Sequence, residues 1–479
     1  MSKEVKLTDA TILDCLNANE LGDGMLYAAL HYGRFVYNYS SSEWLAWRGH
    51  YWALDEMNEA LASVEKVVNC YGAALDTLSS EKDGISDDLR KCFVKRMRKL
   101  RSEHGRQNTL KFAQTNSQNA LAVLGEQLDR DPWLLACSNG TVNLATGEMH
   151  PGRPDDFLTK ASPVEWDDIE APCPIWEKTL SEIFGGDMDL IHYVQRFFGY
   201  ALTGLSNENV LPILWGQGRN GKTTIIETIS KIMGPLAAPI QAEMLLDQGR
   251  SRSSAGPSPD IMSLKGLRLA FGSEADENRK FSTSRIKWLS GSDTLIGRAP
   301  HDRRETSFQP SHTLILLTNH RPHASASDFA FWERIHLIPF NFSFVDRAPQ
   351  DDNEFRADKD LPIKLEAEGP GILAWLVRGC LKWMQIGLAP PETVKSATQE
   401  YRRDEDLLAD FLQDCCFIDP TARARFKDLY ERFQEWHQEF ISKKYIPSGK
   451  KFGQLLRAAK FKEGHSNGRY YEGLRLLGL

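Results

Sequence analysis

The stretch LPILWGQGRNGKTTII, residues Leu211–Ile226, decides the fold of the central part of the chain. Its apolar start predicts a strand, a glycine-rich turn follows, and a helix-compatible run begins at Thr223. The turn fits the pattern G-x-x-x-x-G-K-[ST] through Gly216, Gly221, Lys222 and Thr223, which is typical of a phosphate-binding loop. The alternative is a chance glycine turn, but the strand–loop–helix context is the one that this pattern requires.

Each part of this turn has a physical role in binding a nucleoside triphosphate. Glycines let successive N–H groups converge on phosphate oxygens, and the helix that follows adds the positive end of its dipole. Lys222 would reach the β- and γ-phosphates, and the Thr223 hydroxyl would ligate Mg²⁺. We therefore predict ATP and Mg²⁺ as cofactors. The predicted nucleotide-binding residues are Gly216, Gln217, Gly218, Arg219, Asn220, Gly221, Lys222, Thr223 and Thr224.

Length and composition indicate an ordinary globular, multidomain protein. The chain has 479 residues, of which 41% are hydrophobic and 26% charged, and a net charge of −7 argues against a uniformly basic coat for nucleic acid. Its 8 cysteines include no C-x-x-C pair, so neither a zinc ribbon nor a disulfide framework is indicated. We find no apolar run of about 18 residues and no signal-peptide core, and expect a cytoplasmic protein, in the host cytoplasm if phage-encoded.

Pattern and composition divide the chain into successive parts. The predicted fold class is an α/β P-loop ATPase core of the AAA+-like kind, with a mainly helical N-terminal region and a C-terminal winged-helix module. The predicted boundaries are 1–165 for a helical or mixed N-terminal domain, 166–205 for a helical leader, 206–345 for the ATPase core, 346–400 for a helical lid and 401–479 for the winged-helix-like module.

Three polar side chains follow or precede apolar strands downstream of the loop. Glu274 follows the apolar run 267–271, where a carboxylate could orient Mg²⁺ through water and polarise the attacking water; otherwise it is a surface residue. Asn319 ends the next apolar strand, where an amide could sense the γ-phosphate; its alternative is an ordinary turn asparagine. Arg334 precedes another strand and is either a structural ion-pair partner or a finger toward a neighbouring subunit's nucleotide.

Two regions carry basic residues that suit DNA. Residues 286–308 predict a hairpin whose polar turn contains Arg298, His301, Arg303 and Arg304, and the residues alone leave a DNA contact and a solvated turn equally open. Residues 421–479 hold 13 Lys or Arg against 6 Asp or Glu. There a helix with Lys450 and Lys451 precedes a predicted hairpin, as in a winged helix–turn–helix, so we predict that these lysines contact DNA phosphates.

With these residues in view, the chain resembles the superfamily 3 helicases of the poxvirus primase-helicase and satellite-phage primase type. The resemblance extends over roughly residues 131–477. It is carried in order by PWLLACSNGTVNLATGEM, FFGYALTGLSNENVLPILWGQGRNGKTT, LAFGSEADENRKFSTSRIKWLSGSDTLIGR, LILLTNHRP, FWERIHLIPF and GILAWLVRGCLKWMQIGL. Several separated motifs in one order are far more specific than the loop alone.

The resemblance implies roles for individual residues. Lys222 and Thr223 match the first ATPase motif, Glu274 the catalytic acid, Asn319 the sensor asparagine, and Arg334 the arginine that completes a neighbour's site. It thereby implies a ring, typically a homo-hexamer, with the hairpin of Arg298–Arg304 tracking DNA in the channel.

The chain also departs from the family pattern at two points. Ser273 stands where many ATPases have a first acid, which leaves Mg²⁺ to Thr223 and water and makes Glu274 the base. We find no separate primase or polymerase domain before residue 130, and expect another protein to supply priming.

Together these features predict an ATP-dependent, ring-forming DNA helicase that serves replication of a phage, satellite or plasmid and translocates on one DNA strand. The alternative is a replication-origin initiator or regulatory ATPase switch that binds DNA without processive unwinding. No membrane partner is expected.

Overall fold

The structure, a computed structural model, describes residues 7–80, 85–115, 120–249, 257–273, 279–300, 305–326, 328–405, 407–440, 446–466 and 468–477. These residues form a mixed α/β, multidomain architecture with a parallel sheet at its centre. No helix in the described ranges combines the length and the apolar character that crossing a bilayer requires.

The N-terminal part packs helices around a small mixed sheet. Its elements are α1 (Asp9–Asn17), α2 (Asn19–His31), β1 (Phe35–Asn38), β2 (Glu43–Trp47), β3 (Trp52–Leu54), α3 (Glu59–Ala62), α4 (Glu65–Ser80), α5 (Asp87–Leu100), α6 (Glu103–Thr115) and β4 (Ala122–Val123). The sheet order is β3-β2-β1-β4, and β4 pairs in parallel with β1. The tryptophans of β2 and β3 pack within this sheet, with the Trp47 and Trp52 rings 5.3 Å apart.

A buried ion pair joins α2 to α5 in this helical core. The Arg96 guanidinium lies 3.2 Å from Asp23 Oδ2, and the two side chains are only 9% and 3% exposed. The Tyr71 hydroxyl donates to the other Asp23 oxygen at 3.0 Å. Burial raises the pKa of Asp23 to about 6, against the opposing effects of Arg96 and Tyr71. The other basic residues of helix α5 are exposed, so the helix turns one arginine inward.

A second group of elements leads into the central sheet. It consists of the antiparallel strands β5 (Leu134–Cys137), β6 (Gly140–Asn143) and β7 (Met149–His150), followed by α7 (Pro174–Ile183) and α8 (Met188–Ala201). The carboxylate of Glu368, from a later helix, accepts the Ile175 and Trp176 N–H groups at the start of α7. Residues of α8 are buried along almost its whole length.

The central sheet is parallel and has the strand order β14-β8-β13-β10-β9. Its strands and helices are β8 (Leu211–Trp215), α9 (Lys222–Met233), β9 (Ala237–Ile240), α10 (Pro259–Met262), β10 (Leu269–Ser273), α11 (Thr283–Leu289), β11 (Leu295–Gly297), β12 (Thr306–Phe308), β13 (Thr313–Thr318), α12 (Phe329–Trp332) and β14 (Ile335–Pro339). Strands β11 and β12 form the separate hairpin that the sequence predicts.

Burial on both faces explains why these strands are continuously apolar. Every residue of β13 is buried. Ile315 and Leu317 face one hydrophobic cluster, while Leu314 and Leu316 face the other. A parallel strand covered on both sides needs apolar residues at every position, which is the pattern read in the sequence.

The C-terminal part contains a layer of helices and then a small module. Its elements are β15 (Ser343–Val345), β16 (Glu354–Arg356), α13 (Leu361–Ala367), α14 (Gly369–Ile386), α15 (Glu392–Asp404), α16 (Leu407–Cys415), β17 (Cys416–Arg425), α17 (Phe426–Phe440), α18 (Gly449–Ala458), β18 (Lys462–His465) and β19 (Arg469–Leu476). In the module β19 pairs antiparallel with β17 and β18. The parallel pair β15–β16 was not predicted, since region 346–400 reads as helical.

Removing the acidic half of the buried pair should destabilise the N-terminal part. We expect Asp23→Ala to lower the free energy of unfolding by about 3–5 kcal/mol, because the Arg96 charge stays buried without its partner. The matched control is Glu20→Ala, which removes the partly exposed partner of Lys99 and should change stability by less than about 1 kcal/mol. Urea unfolding followed by circular dichroism measures both, and equal midpoints would contradict the assignment.

Candidate functional site

The glycine-rich loop lies at the carboxyl edge of the central sheet, between the end of β8 and the start of α9. Strands β13 and β14 flank β8, so Asn319, directly after β13, comes to the same edge. Ser273, at the end of β10, lies one strand further along. The crevice outside the carboxyl ends of parallel strands is where open α/β sheets bind ligands.

Two glycines allow the backbone conformation of the loop and its close packing against neighbouring residues. Gly221 has φ +85°, and a Cβ there would lie 2.6 Å from the Ile183 side chain of α7. A Cβ on Gly216 would lie 2.4 Å from the Asn220 amide nitrogen and 2.5 Å from the Phe340 carbonyl oxygen. The loop therefore needs glycine at both positions for close approach, and at Gly221 for its backbone conformation as well.

The ammonium group of Lys222 is buried at the centre of the site. Its Nζ donates to the Gly216 carbonyl at 2.5 Å, to Asn220 Oδ1 at 3.1 Å and to Asn319 Oδ1 at 3.0 Å. The lysine is only 6% exposed. Burial lowers the pKa of Lys222 to about 8. All three acceptors are neutral oxygens, so they hold the ammonium without cancelling its charge.

A pocket of about 520 Å³ opens in front of this lysine. The loop and the strand ends form one wall, and α7 with the segment 344–361 forms the other. The lining residues are Thr179, Ile183, Gly218, Arg219, Asn220, Gly221, Lys222, Thr223, Thr224, Ser273, Leu317, Thr318, Asn319, Phe344, Asp346, Ala357, Asp358 and Leu361.

The second wall is the part of the site that the sequence did not reveal. The Phe344 N–H donates to the Arg219 carbonyl at 2.7 Å, which joins the start of β15 to the loop. The Arg219 guanidinium lies 3.3 Å from Asp346 at the exposed rim. No fixed spacing relates these residues to the loop, and the only signal in the sequence is the helical leader placed directly before it.

Helix α15 braces the segment that carries Asn319. Arg321 pairs with Asp404 at 2.7 Å, and its guanidinium lies 5.0 Å from the centroid of the Trp215 ring, at the end of β8. His323 pairs with Glu405 at 3.1 Å, and the hydrogen bond that His323 donates to the Glu405 carboxylate raises the pKa of His323. The turn after β13 is thereby fixed to the helix that leads into the C-terminal module.

Arg334 lies away from this pocket, at the opposite end of the sheet. Its carbonyl accepts the N–H of Leu211, the first residue of β8, at 2.7 Å. The length of β8, about 13 Å at 3.3 Å per residue, separates that point from the loop. The Arg334 Nη1 donates to the Ala330 carbonyl at 2.8 Å, and its Nε is buried without a hydrogen-bond partner in the described part of the chain.

The remaining predicted site residues fall in three places. Glu274, His301, Arg303 and Arg304 lie outside the described residues. Arg298 follows β11, where its N–H donates to the Ser258 hydroxyl at 3.0 Å. Lys450 and Lys451 are exposed on the first turn of α18.

The donor set suits a nucleotide with a bound metal ion. Thr223 is exposed at the pocket and sits one residue inside the start of α9, beside the buried cation of Lys222. Within the described ranges no cluster of three or more His, Cys, Asp or Glu side chains could hold an ion on its own. The exposed Thr223 hydroxyl is a group that could share a hard cation such as Mg²⁺ with phosphate oxygens and water.

Comparison with known proteins agrees with these features. Residues 25–185 match the family described as "D5 N terminal like". A candidate helicase of Acanthamoeba polyphaga mimivirus, L207/L206, is 27% identical over 328 residues. A candidate primase of African swine fever virus (isolate Warthog/Namibia/Wart80/1980), C962R, is 22% identical over 339 residues. By these matches the chain is similar to the D5-type superfamily 3 primase-helicases.

The chain spans about a third of the length of these relatives. The alignments cover 65% and 67% of the chain but 33% and 34% of the mimivirus and swine fever virus proteins. An apo structure of the NrS-1 C-terminal region is similar with a TM-score of 0.47 and 11% identity, covering 92% of this chain and 95% of that one.

A pair of glycine substitutions tests the loop geometry. Gly221→Ala should destabilise the protein by about 1–3 kcal/mol, since the new side chain meets Ile183 and the backbone conformation becomes strained. Gly218→Ala is the matched control, because a Cβ there has no atom within 4 Å, and it should leave the melting temperature unchanged. Thermal unfolding of the two variants checks this, and equal melting temperatures would show that the loop has another conformation.

Proposed function

We propose that this chain is an ATP-driven DNA helicase motor that works in replication as a ring of identical subunits, typically six. The parallel sheet with its glycine-rich loop is, in this proposal, a P-loop ATPase core of the AAA+-like kind. The observation that carries the proposal is the convergence of Lys222 and Asn319 beside the pocket, where the buried Lys222 ammonium hydrogen-bonds only to neutral oxygens among the residues that the structure describes. The names of the relatives, candidate helicase and candidate primase, support the same general role.

In this mechanism the loop binds the triphosphate. Its backbone N–H groups and the start of α9 receive the phosphates, and Lys222 contacts the β- and γ-oxygens with a charge that its neutral acceptors do not cancel. Thr223 would hold Mg²⁺, which supplies charge neutralisation at the transferring phosphoryl group. Asn319, which contacts Lys222, is proposed to orient the attacking water, and Glu274, next in sequence to the pocket residue Ser273, is proposed as the base.

A second subunit would complete the site. Arg334 lies about a strand's length from the loop of its own chain, which supports a role toward a neighbour rather than in its own pocket. In that role its guanidinium would stabilise the charge that develops on the γ-phosphoryl group.

Two surfaces are proposed to contact DNA. In the sequence, Arg298, His301, Arg303 and Arg304 lie between β11 and β12, and this hairpin would follow one DNA strand through the ring. The C-terminal module has the order helix–strand–helix–helix–hairpin, which is that of a winged helix, and α18 exposes Lys450 and Lys451 at its start. A separate primase or polymerase is the proposed partner at the fork.

Strand displacement separates this proposal from an origin initiator or ATPase switch. We expect the chain to unwind a forked duplex with ATP and Mg²⁺ but not with a non-hydrolysable analogue. If the chain hydrolysed ATP in response to DNA but did not unwind the duplex, the helicase proposal would be wrong and a regulatory ATPase switch would be favoured.

Mixing two inactive variants tests the shared site. Lys222→Ala and Arg334→Ala should each abolish DNA-stimulated ATP hydrolysis, and the loss of Arg334 should lower kcat by about 10³-fold or more. A mixture should regain activity, since one kind of interface joins an intact Lys222 to an intact Arg334. Lys231→Ala is the control, because that exposed lysine of α9 pairs with Glu366 and should keep full activity. An Arg334→Ala variant with normal activity would show that the site is complete within one chain.

Salt dependence tests the C-terminal surface. The double variant Lys450→Ala and Lys451→Ala should weaken duplex DNA binding and lower the slope of log affinity against log salt by about 2, one unit for each lost phosphate contact. Lys427→Ala removes an 81% exposed lysine of α17 and should leave the slope unchanged. Fluorescence anisotropy over a salt series measures the affinity and the slope for each variant. A slope of the double variant equal to that of the wild type would show that α18 does not contact the DNA.

A further inference from the structure

The side chain of Asn220 lies between the loop lysine and the end of β14. Its Oδ1 accepts from Lys222 Nζ at 3.1 Å, and its Nδ2 donates to the Phe340 carbonyl at 3.4 Å. Asn220 is only 3% exposed. The residue occupies one of the unspecified positions of the G-x-x-x-x-G-K-[ST] pattern, so the pattern assigns it no role.

The two contacts require opposite hydrogen-bonding properties at the two ends of one side chain. The side-chain atom that faces Lys222 must accept a hydrogen bond, and the atom that faces the Phe340 carbonyl must donate one. An amide can do both, whereas a carboxylate can only accept. The backbone makes room for this amide, because the Gly216 Cα has no side chain to strike the Asn220 nitrogen. The carboxamide is therefore fixed in one orientation.

Charge distinguishes this arrangement from an ion pair. An aspartate at this position would pair with the buried ammonium and compete with phosphate for it, and such competition is strong at low dielectric. Asn220 positions the ammonium while leaving its full charge for an incoming anion. Asn319 supplies a second neutral acceptor, from the opposite wall.

We propose that Asn220 is a positioning residue that aims Lys222 at the β- and γ-phosphates and anchors it to the end of β14. This inference rests on the proposed ATPase function and deepens it. It predicts that Asn220 affects recognition of the phosphates beyond the first, and not the binding of the nucleoside part.

The test compares nucleotides of different phosphate number. For Asn220→Asp we expect the KM for ATP to rise about tenfold or more with a smaller change in kcat, since the carboxylate holds the lysine in the ground state. The dissociation constants for ATP and ADP should rise by the same order while that for AMP stays within about twofold, because AMP lacks the phosphates that Lys222 reaches. Titration with fluorescent ATP, ADP and AMP analogues measures these ratios.

Two further variants keep the test decisive. Asn220→Ala removes both hydrogen bonds without adding a charge, so the preference for ATP over AMP should fall by less than in Asn220→Asp. Asn207→Asp adds the same charge at an exposed position of the same region and should behave as wild type. An unchanged preference for ATP over AMP in either Asn220 variant would overturn the inference. Failure of the wild type to bind ATP would instead overturn the proposed function.

Discussion

The buried ammonium of Lys222 is the constraint on which the rest of the site depends. A cation that is only 6% exposed and has no acidic partner among its three hydrogen-bond contacts must be held by oriented neutral oxygens. Those oxygens come from the loop backbone, from Asn220 and from the end of β13. Their convergence depends on the parallel pairing of β8 with β13, which brings the loop and Asn319 to the same edge of the sheet.

The central fold could be predicted because its signals are local. The apolar run before the loop and the fully buried β13 follow from burial on both faces of a parallel sheet, whereas the loop was recognised by its own short pattern. Asn319 was predicted from its position at a strand end. Helices α7 and α8 and the hairpin β11–β12 were likewise predicted from pattern and turn residues. These features depend on a few neighbouring residues each.

What the sequence did not reveal depends on contacts between distant segments. The pocket wall of Phe344, Asp346 and Asp358 has no spacing relative to the loop, and the short strands β15 and β16 carry too few residues for a periodic signal. The inward turn of Arg96 was hidden in a run of basic residues, since its partner Asp23 lies 73 positions away. Periodicity shows which face of a helix is polar, but it does not identify the acid that turns one residue of that face inward.

In the proposed ring, the loop and Arg334 lie at opposite ends of the same sheet but serve one shared site between neighbours. The contact that brings the arginine end of one copy to the pocket of the next then joins two different surfaces, so it is heterologous. After each addition, the assembly still has one unoccupied pocket surface and one unoccupied arginine surface. Further copies can therefore add until the rotation between neighbours closes a ring. Because the strands of the central sheet all run in one direction, every subunit of such a ring would face the same way around it. Each subunit would have its pocket against one neighbour and its Arg334 end against the other.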